Sequence, residues 1–323
     1  MKVRLAGVGL AAVLVLGACT EGGGEAQEDG GEQAESLRIG MANFTLCCAY
    51  FIGMDEAAQQ EAEAYGNVEV ISTDANGDAA KLTSDIEDLL AQGIDGLIIS
   101  AGPLEAAPAA LEAADRADVP VVMVDRKLTD GPYTSWIGPD NEAIGRQDGE
   151  YIADRLGGEG KLVVISGGPA DNTIGLARTN GMLSVVEQTD IEVVRAPQFG
   201  EWSEDGGLAV TEDLLAAHDD IDVVFCENDS MCLGAQTAIE DAGRSDEIFL
   251  VGVDGQKEAL LAILEGTNYE ATGLNDSDQI GRAGFHRLMA ILAGADSEKD
   301  TVLPSPLITR ENVESYYDPD SVF

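Results

Sequence analysis

The chain has 323 residues, of which 60 are acidic and 18 basic, for a net charge of -42. An excess of that size argues against nucleic acid and anionic membrane surfaces as partners, since both repel a strongly negative protein. The hydrophobic fraction of 45% is ample for two cores, and the acidic residues lack EF-hand-like spacing, so they read as a solvated surface and not as a metal site.

Basic Lys2 and Arg4 open the chain, an apolar core follows from Leu5 to Leu16, and Leu16-Gly17-Ala18-Cys19 closes the segment. The core is too short to span a bilayer, so residues 1–18 read as a signal peptide removed on export. The LGAC sequence resembles a bacterial lipobox, in which Cys19 is lipidated and heads the mature chain; an ordinary signal peptide with an incidental cysteine is the alternative. Residues 19–36 contain no aromatic and no β-branched aliphatic residue. Such a segment cannot bury enough apolar surface to fold, and it reads as a disordered tether.

Ten strand-like runs follow in two sets of five. The first set is LRIGMANF from Leu37, VEVISTD from Val68, DGLIIS from Asp95, VPVVMVDR from Val119 and TSWIGPD from Thr134. The second is KLVVISGG from Lys161, IEVVRAPQF from Ile191, DVVFCEND from Asp222, IFLVGVDG from Ile248 and YEATGLND from Tyr269. Helix-period stretches separate them; between Asp78 and Gln92, for example, Leu82, Ile86, Leu89 and Leu90 share one face. Short apolar strands alternating with amphipathic helices predict an α/β fold of two doubly wound parallel sheets, because each right-handed crossover lays a helix over the sheet. Ligands bind such sheets beyond the carboxyl ends of the strands, so the residues just past each run are the candidate site.

Enzyme chemistry lacks its parts. No G-x-S-x-G elbow occurs, no G-x-G-x-x-G follows the first strand, and the two histidines, His218 and His286, fall at a helix end and inside a helix. No cofactor or metal is expected, since Cys226 and Cys232 have neither the spacing nor the partners of a zinc site. Apart from Cys19, four cysteines remain in an exported body: Cys47, Cys48, Cys226 and Cys232. Four cysteines allow three pairings. The adjacent Cys47 and Cys48 either close a strained ring or remain two free buried thiols.

From Leu37 to about Ala293 the chain resembles the ribose-type, type I periplasmic solute-binding proteins of ABC transporters. The resemblance rests on SDIEDLLAQGIDGLIIS from Ser84, VPVVMVDR, IGPDN from Ile137, CENDSMCLGA from Cys226, VGVDG from Val251 and SDQIGRAG from Ser277, in that order. It implies two lobes joined by a three-segment hinge, residues 37–139 with 276–303 in the first and 140–275 with 304–323 in the second.

The resemblance also implies a site. The family's first-strand loop, Thr-Leu-Asn-Asn-Pro-Phe-Phe, is similar to Thr45-Leu46-Cys47-Cys48-Ala49-Tyr50-Phe51 here. Tyr50 and Phe51 would stack on the apolar faces of a sugar, while Cys48 stands where an asparagine would donate to a hydroxyl, which a thiol cannot replace. Asp125 would accept from adjacent hydroxyls and Arg126 would donate to others. Arg178 would reach in from a helix of the second lobe, and Trp202 would complete the aromatic sandwich. Asn228 and Asp254 would hydrogen-bond hydroxyls, with Asp229 capping the helix that starts at Ser230. Asn275 takes the place of the family's hinge glutamine.

These residues together imply a monomeric, lipid-anchored extracytoplasmic receptor for a monosaccharide or polyol, partnered by an ABC importer permease. A receptor for a sugar-like signal, presented to a sensor kinase, is the alternative. A repressor effector domain shares the architecture, but the export signal and the lack of a basic helix-turn-helix argue against it. Replacing Asp125 or Asp254 by Ala is expected to abolish binding with little effect on the melting temperature of the free protein.

Overall fold

The computed structural model describes residues 36–323 apart from 101, 103, 104, 106 and 170–172. The expected signal peptide over residues 1–18, the expected lipidation site Cys19 and the expected tether up to residue 35 lie outside the described residues.

Each of the ten strand-like runs forms a strand. β1 (Leu37–Asn43), β2 (Val68–Asp74), β3 (Gly96–Ser100), β4 (Val121–Val124) and β5 (Ser135–Gly138) build one sheet; β6 (Glu159–Ile165), β7 (Asp190–Arg195), β8 (Val223–Cys226), β9 (Phe249–Asp254) and β10 (Tyr269–Leu274) build the other. Helices lie between them: α1 (Ala49–Tyr65), α2 (Ala79–Ala91), α3 (Pro108–Arg116), α4 (Asn141–Leu156), α5 (Ile174–Val186), α6 (Glu204–Ala217), α7 (Asp229–Asp241), α8 (Lys257–Glu265) and α9 (Ser277–Leu292). Two short strands that the sequence pattern does not announce follow, β11 (Asp300–Val302) and β12 (Leu307–Thr309). Three residues are too few to display a period.

The strand orders are β11-β5-β4-β3-β1-β2 and β12-β10-β9-β8-β6-β7. All pairings are parallel except β10 with β12. The chain passes between the sheets three times, after β5, after β10 and between β11 and β12. Both sheets are the doubly wound type expected, with apolar layers on each face. In β3 Leu97 and Ile99 pack against Leu82, Ile86 and Leu111, while Ile98 between them packs against Met54, Phe285 and Leu288 on the other side. The period-two alternation of side chains across a strand makes this division. In β8, Val224 and Cys226 face one core and Val223 and Phe225 the other.

Glycine permits the closest helix contact. α4 and α5 meet at Gly145, Gly149 and Gly181; a Cβ on Gly145 would sit 1.8 Å from the carbonyl oxygen of Arg178, and one on Gly181 would sit 2.1 Å from that of Glu142. The backbones are in direct contact, and α5 is thereby fixed against the helix that follows the first crossing.

Cys226 and Cys232 form a disulfide with a Cα separation of 5.4 Å, joining the end of β8 to the first turn of α7. Cys47 and Cys48 are free and exposed. They form neither a ring nor a buried pair, because the chain here turns outward from the sheet into the helix start.

Asp148 on α4 is fully buried, and neither carboxylate oxygen has a hydrogen-bond partner. It faces Gly273 of β10, where an added Cβ would lie 3.2 Å from both oxygens. Burial raises its pKa well above the usual carboxylate range, and the Asp229 charge adds to the shift while Arg178 opposes it. A carboxyl whose folded pKa is raised destabilises the fold increasingly as pH climbs above the unfolded value of about 3.9 and up to the folded one. Asp148→Ala is therefore expected to gain on the wild type as pH rises from 4 to 8, each recovered kcal/mol giving about 2–4 °C in a protein of this size. Melting temperatures of both proteins across that range check it; a difference independent of pH would mean that Asp148 is not the group responsible.

Candidate functional site

The residues past the strand ends converge. Asp125 follows β4 with a left-handed backbone, φ 64°, and Asp254 closes β9 at φ 126°. Both are non-glycine residues in sparsely populated conformations, each of which costs on the order of 1–3 kcal/mol and persists only where the surroundings hold it. The Asp125 turn is held by its N–H, which donates to the Ile137 carbonyl at 2.9 Å, and by its own carbonyl, which accepts from Trp136 Nε1 at 3.1 Å. Gly138 is required beside it, since a Cβ there would lie 2.5 Å from that same carbonyl.

Tyr50 stands in the first turn of α1, behind the N-cap Cys48, whose extended backbone (φ -148°, ψ 165°) starts the helix without a side-chain cap. Its hydroxyl donates to Asp125 Oδ1 at 2.8 Å and accepts from Asn275 Nδ2 at 2.8 Å. Asn275 Nδ2 also donates to Asp254 Oδ1 at 3.1 Å, and Arg178 Nη2 reaches the same oxygen at 2.8 Å. One hydrogen-bonded belt, Asp125–Tyr50–Asn275–Asp254–Arg178, thus joins five candidates from α1, α5 and the ends of three strands. All five are buried.

The charges in the belt answer one another. Burial pushes the Asp254 carboxyl up to about 7 even though Arg178 holds it down, with Asp229 adding to the rise. Burial opposes the Arg178 charge, yet Asp254, Tyr50 and Asp125 keep its pKa above the ordinary value. Burial, then the Asp125 charge, raises the Tyr50 phenol well above its usual range, so it remains a donor at every physiological pH. Arg178 is 3% exposed and is saturated further by Nε donating to Asn141 Oδ1 at 2.9 Å and Nη1 to the Glu227 carbonyl at 2.6 Å. Asp254 therefore cannot be removed from the free protein at little cost, contrary to expectation, because its loss would leave a buried guanidinium without its carboxylate.

The other candidates are placed differently. Phe51 is half-buried and meets Tyr50 edge-on, with ring centroids 5.1 Å apart; Phe323 meets the Tyr50 ring at the same distance. Arg126 is half-buried beside Asp125. Trp202, at φ 58°, lays its indole over the backbone of Gly167, where a Cβ would fall 2.0 Å from the ring, and makes no ring contact with Tyr50 or Phe51. Cys48 is exposed. The Cys47 thiol is lowered to about 6 chiefly by its hydrogen bond with Cys48, and the same bond raises the Cys48 thiol.

The helix cap expected of Asp229 falls to Asn228. α7 begins at Asp229, and Asn228 is its cap, Oδ1 accepting from Met231 N at 3.0 Å while Nδ2 donates to the Trp202 carbonyl at 3.3 Å. Asp229 is fully buried and accepts from Gly255 N (2.7 Å), Gln256 N (2.8 Å), the Tyr269 hydroxyl (2.7 Å) and the Thr272 hydroxyl (2.8 Å). A fully buried carboxylate needs that many donors, which leaves none of it for the helix end.

Sequence reasoning passed over Glu227, although it is the first residue beyond β8. Its carboxylate accepts from Gly167 N at 2.7 Å and Thr179 Oγ1 at 2.6 Å, fixing the loop after β6 and the helix that carries Arg178. Asn43 and Asp55 were also missed; Asn43 Nδ2 donates to Asp55 Oδ1 at 2.8 Å and Asn43 Oδ1 accepts from the Ser100 hydroxyl, tying α1 to the ends of β1 and β3. Among the described residues no three His, Cys, Asp or Glu side chains converge as a metal set.

Comparison with known proteins agrees with this fold. A family model described as a periplasmic binding protein domain matches residues 39–296. The ribose import binding protein of Bacillus subtilis is 33% identical over 277 residues, covering 86% of this chain and 88% of that protein. An ABC transporter solute-binding protein from Mycobacterium smegmatis, solved with bound glycerol, superposes with a TM-score of 0.81 at 31% identity, covering 88% of this chain and 98% of that one. The fructose-binding periplasmic domain of a hybrid two-component system superposes with a TM-score of 0.77 at 29% identity, covering 86% and 93%. Parallel strands in two doubly wound sheets, a chain that crosses between them three times and a match over most of its length establish that this chain belongs to the periplasmic binding proteins, in the ribose-type branch of type I, and is a solute-binding protein and not an enzyme.

Proposed function

We propose that this protein is a lipid-anchored extracytoplasmic receptor that takes a monosaccharide or polyol between two lobes and delivers it to an ABC importer. The buried belt of Asp125, Tyr50, Asn275, Asp254 and Arg178 carries this reading, because it pairs planar hydrogen-bonding groups with an aromatic ring. Such groups suit a ligand whose hydroxyls lie in the plane of a ring and whose faces are apolar. One acceptor in the belt is left open: Asn275 Oδ1 is buried without a hydrogen-bond partner. A ligand hydroxyl that donates to it would remove an unfavourable unpaired group.

In this reading the lobes are residues 37–139 with 276–303 and residues 140–275 with 304–323, the ligand enters between them, Cys19 holds the anchor, and the receptor is a monomer. The relatives support it by what they bind, ribose in one and glycerol in another. Presentation of a sugar-like signal to a sensor kinase is the second reading, favoured by the likeness to the fructose-binding domain of a two-component system.

A thermal-shift screen against pentoses, hexoses, inositols and sugar alcohols is expected to give a response, since a ligand at a hundred times its dissociation constant adds about 2.7 kcal/mol of stability. Silence across these classes, with a response to another class of solute, would overturn the sugar reading. Asp125→Ala is expected to abolish binding, measured by titration calorimetry. Asp254→Ala is expected to abolish binding and also to destabilise the free protein by about 3–5 kcal/mol, the usual cost of breaking a buried ion pair. Full binding by both variants would remove the belt from the site.

A further inference from the structure

We infer that the Tyr50 hydroxyl occupies the place of one ligand hydroxyl, so that this receptor selects a sugar or polyol presenting a carbon–hydrogen edge, and no hydroxyl, to the corner formed by Asp125 and Asn275. The inference deepens the sugar or polyol reading and rests on it.

The polarity of each group makes the argument. Asp254 Oδ1 accepts from Arg178 Nη2 at 2.8 Å, so the amide end of Asn275 that faces this same oxygen at 3.1 Å is the NH2. That NH2 has two protons, and the Tyr50 oxygen takes the second at 2.8 Å. The donor end of Asn275 is therefore full. The phenol proton in turn goes to Asp125 Oδ1 at 2.8 Å. A phenylalanine in this position would leave an Asn275 proton and that Asp125 oxygen facing each other across a gap that a ligand hydroxyl, donor and acceptor at once, could fill. In this chain the protein supplies that hydroxyl itself.

The phenol is held firmly. Its ring is gripped edge-on by Phe51 and by Phe323, both at 5.1 Å between centroids, and the residue is 8% exposed. An arriving hydroxyl would have to displace it and leave buried groups unpaired. The opposite end of Asn275 gives the complementary rule: its unpartnered Oδ1 calls for a ligand group that donates. A ligand matched to this site thus donates one O–H to Asn275 Oδ1 and turns an unsubstituted carbon toward Tyr50.

The test compares wild type with Tyr50→Phe by calorimetry, using ribose, xylitol and myo-inositol, each with its monodeoxy derivatives. In the wild type, one deoxy derivative is expected to bind more tightly than its parent, by about tenfold or more, because it lacks the hydroxyl that Tyr50 excludes. In Tyr50→Phe the parent is expected to gain about tenfold or more over that one derivative, with the ranking of the others unchanged. The inference is overturned if the parent-to-deoxy ratios are the same in both proteins, whatever happens to absolute affinity, because a merely structural role for the phenol would weaken every ligand alike. No binding of any compound by either protein would instead overturn the sugar or polyol reading beneath it.

Discussion

The buried guanidinium of Arg178 sets the terms for the rest of the site. A cation with 3% exposure is tolerable only if its nitrogens find acceptors, and here Asp254, Asn141 and the Glu227 carbonyl supply one to each nitrogen. Each of those acceptors must be held in turn. Glu227 is fixed by Gly167 and Thr179, Asp254 by a strained backbone and by Asn275, and α5 itself by glycine contacts with α4. The need to satisfy one charge therefore reaches from the loop after β6 to the crossing after β10.

Most of the fold was legible because it repeats a pattern. The strand cores VVMV in VPVVMVDR and VVFC in DVVFCEND are apolar throughout, which is what a strand covered on both faces must be, and Leu82, Ile86 and Leu89 keep helical spacing into α2. β11 and β12 were not legible. Their three residues each are recruited by the edges of finished sheets, β11 by β5 and β12 by β10, and their state is decided by tertiary pairing alone. Similarly, nothing in the sequence announced that Asp148 would be sealed against Gly273, since a carboxylate on a helix ordinarily faces water.

The candidate site was legible in its positions and less so in its bonds. Asp125, Asp254 and Asn275 lie just past strand ends, where an open α/β sheet leaves groups free, and the structure brings them together with Tyr50 and Arg178. What a residue's neighbours require of it lay beyond sequence. Tyr50 and phenylalanine are alike as stacking rings, and only the approach of Asp125 and Asn275 gives the hydroxyl a meaning. Asn228 and Asp229 are both good helix caps in isolation. Tyr269 and Thr272, some 40 residues away in the chain, claim the aspartate and leave the cap to the asparagine.

The Cys226–Cys232 bond has a consequence for how far the protein depends on its compartment. It closes a loop of only six residues, worth about 2 kcal/mol in chain entropy, so two sheets with four apolar layers do not need it to fold. What the loop encloses is Asn228 and Asp229, the turn whose bonds reach Trp202 on one side and the end of β9 on the other. Oxidation therefore bears on the order of this turn more than on the existence of the fold: a reduced chain would keep its architecture while the turn between Trp202 and the end of β9 loosened.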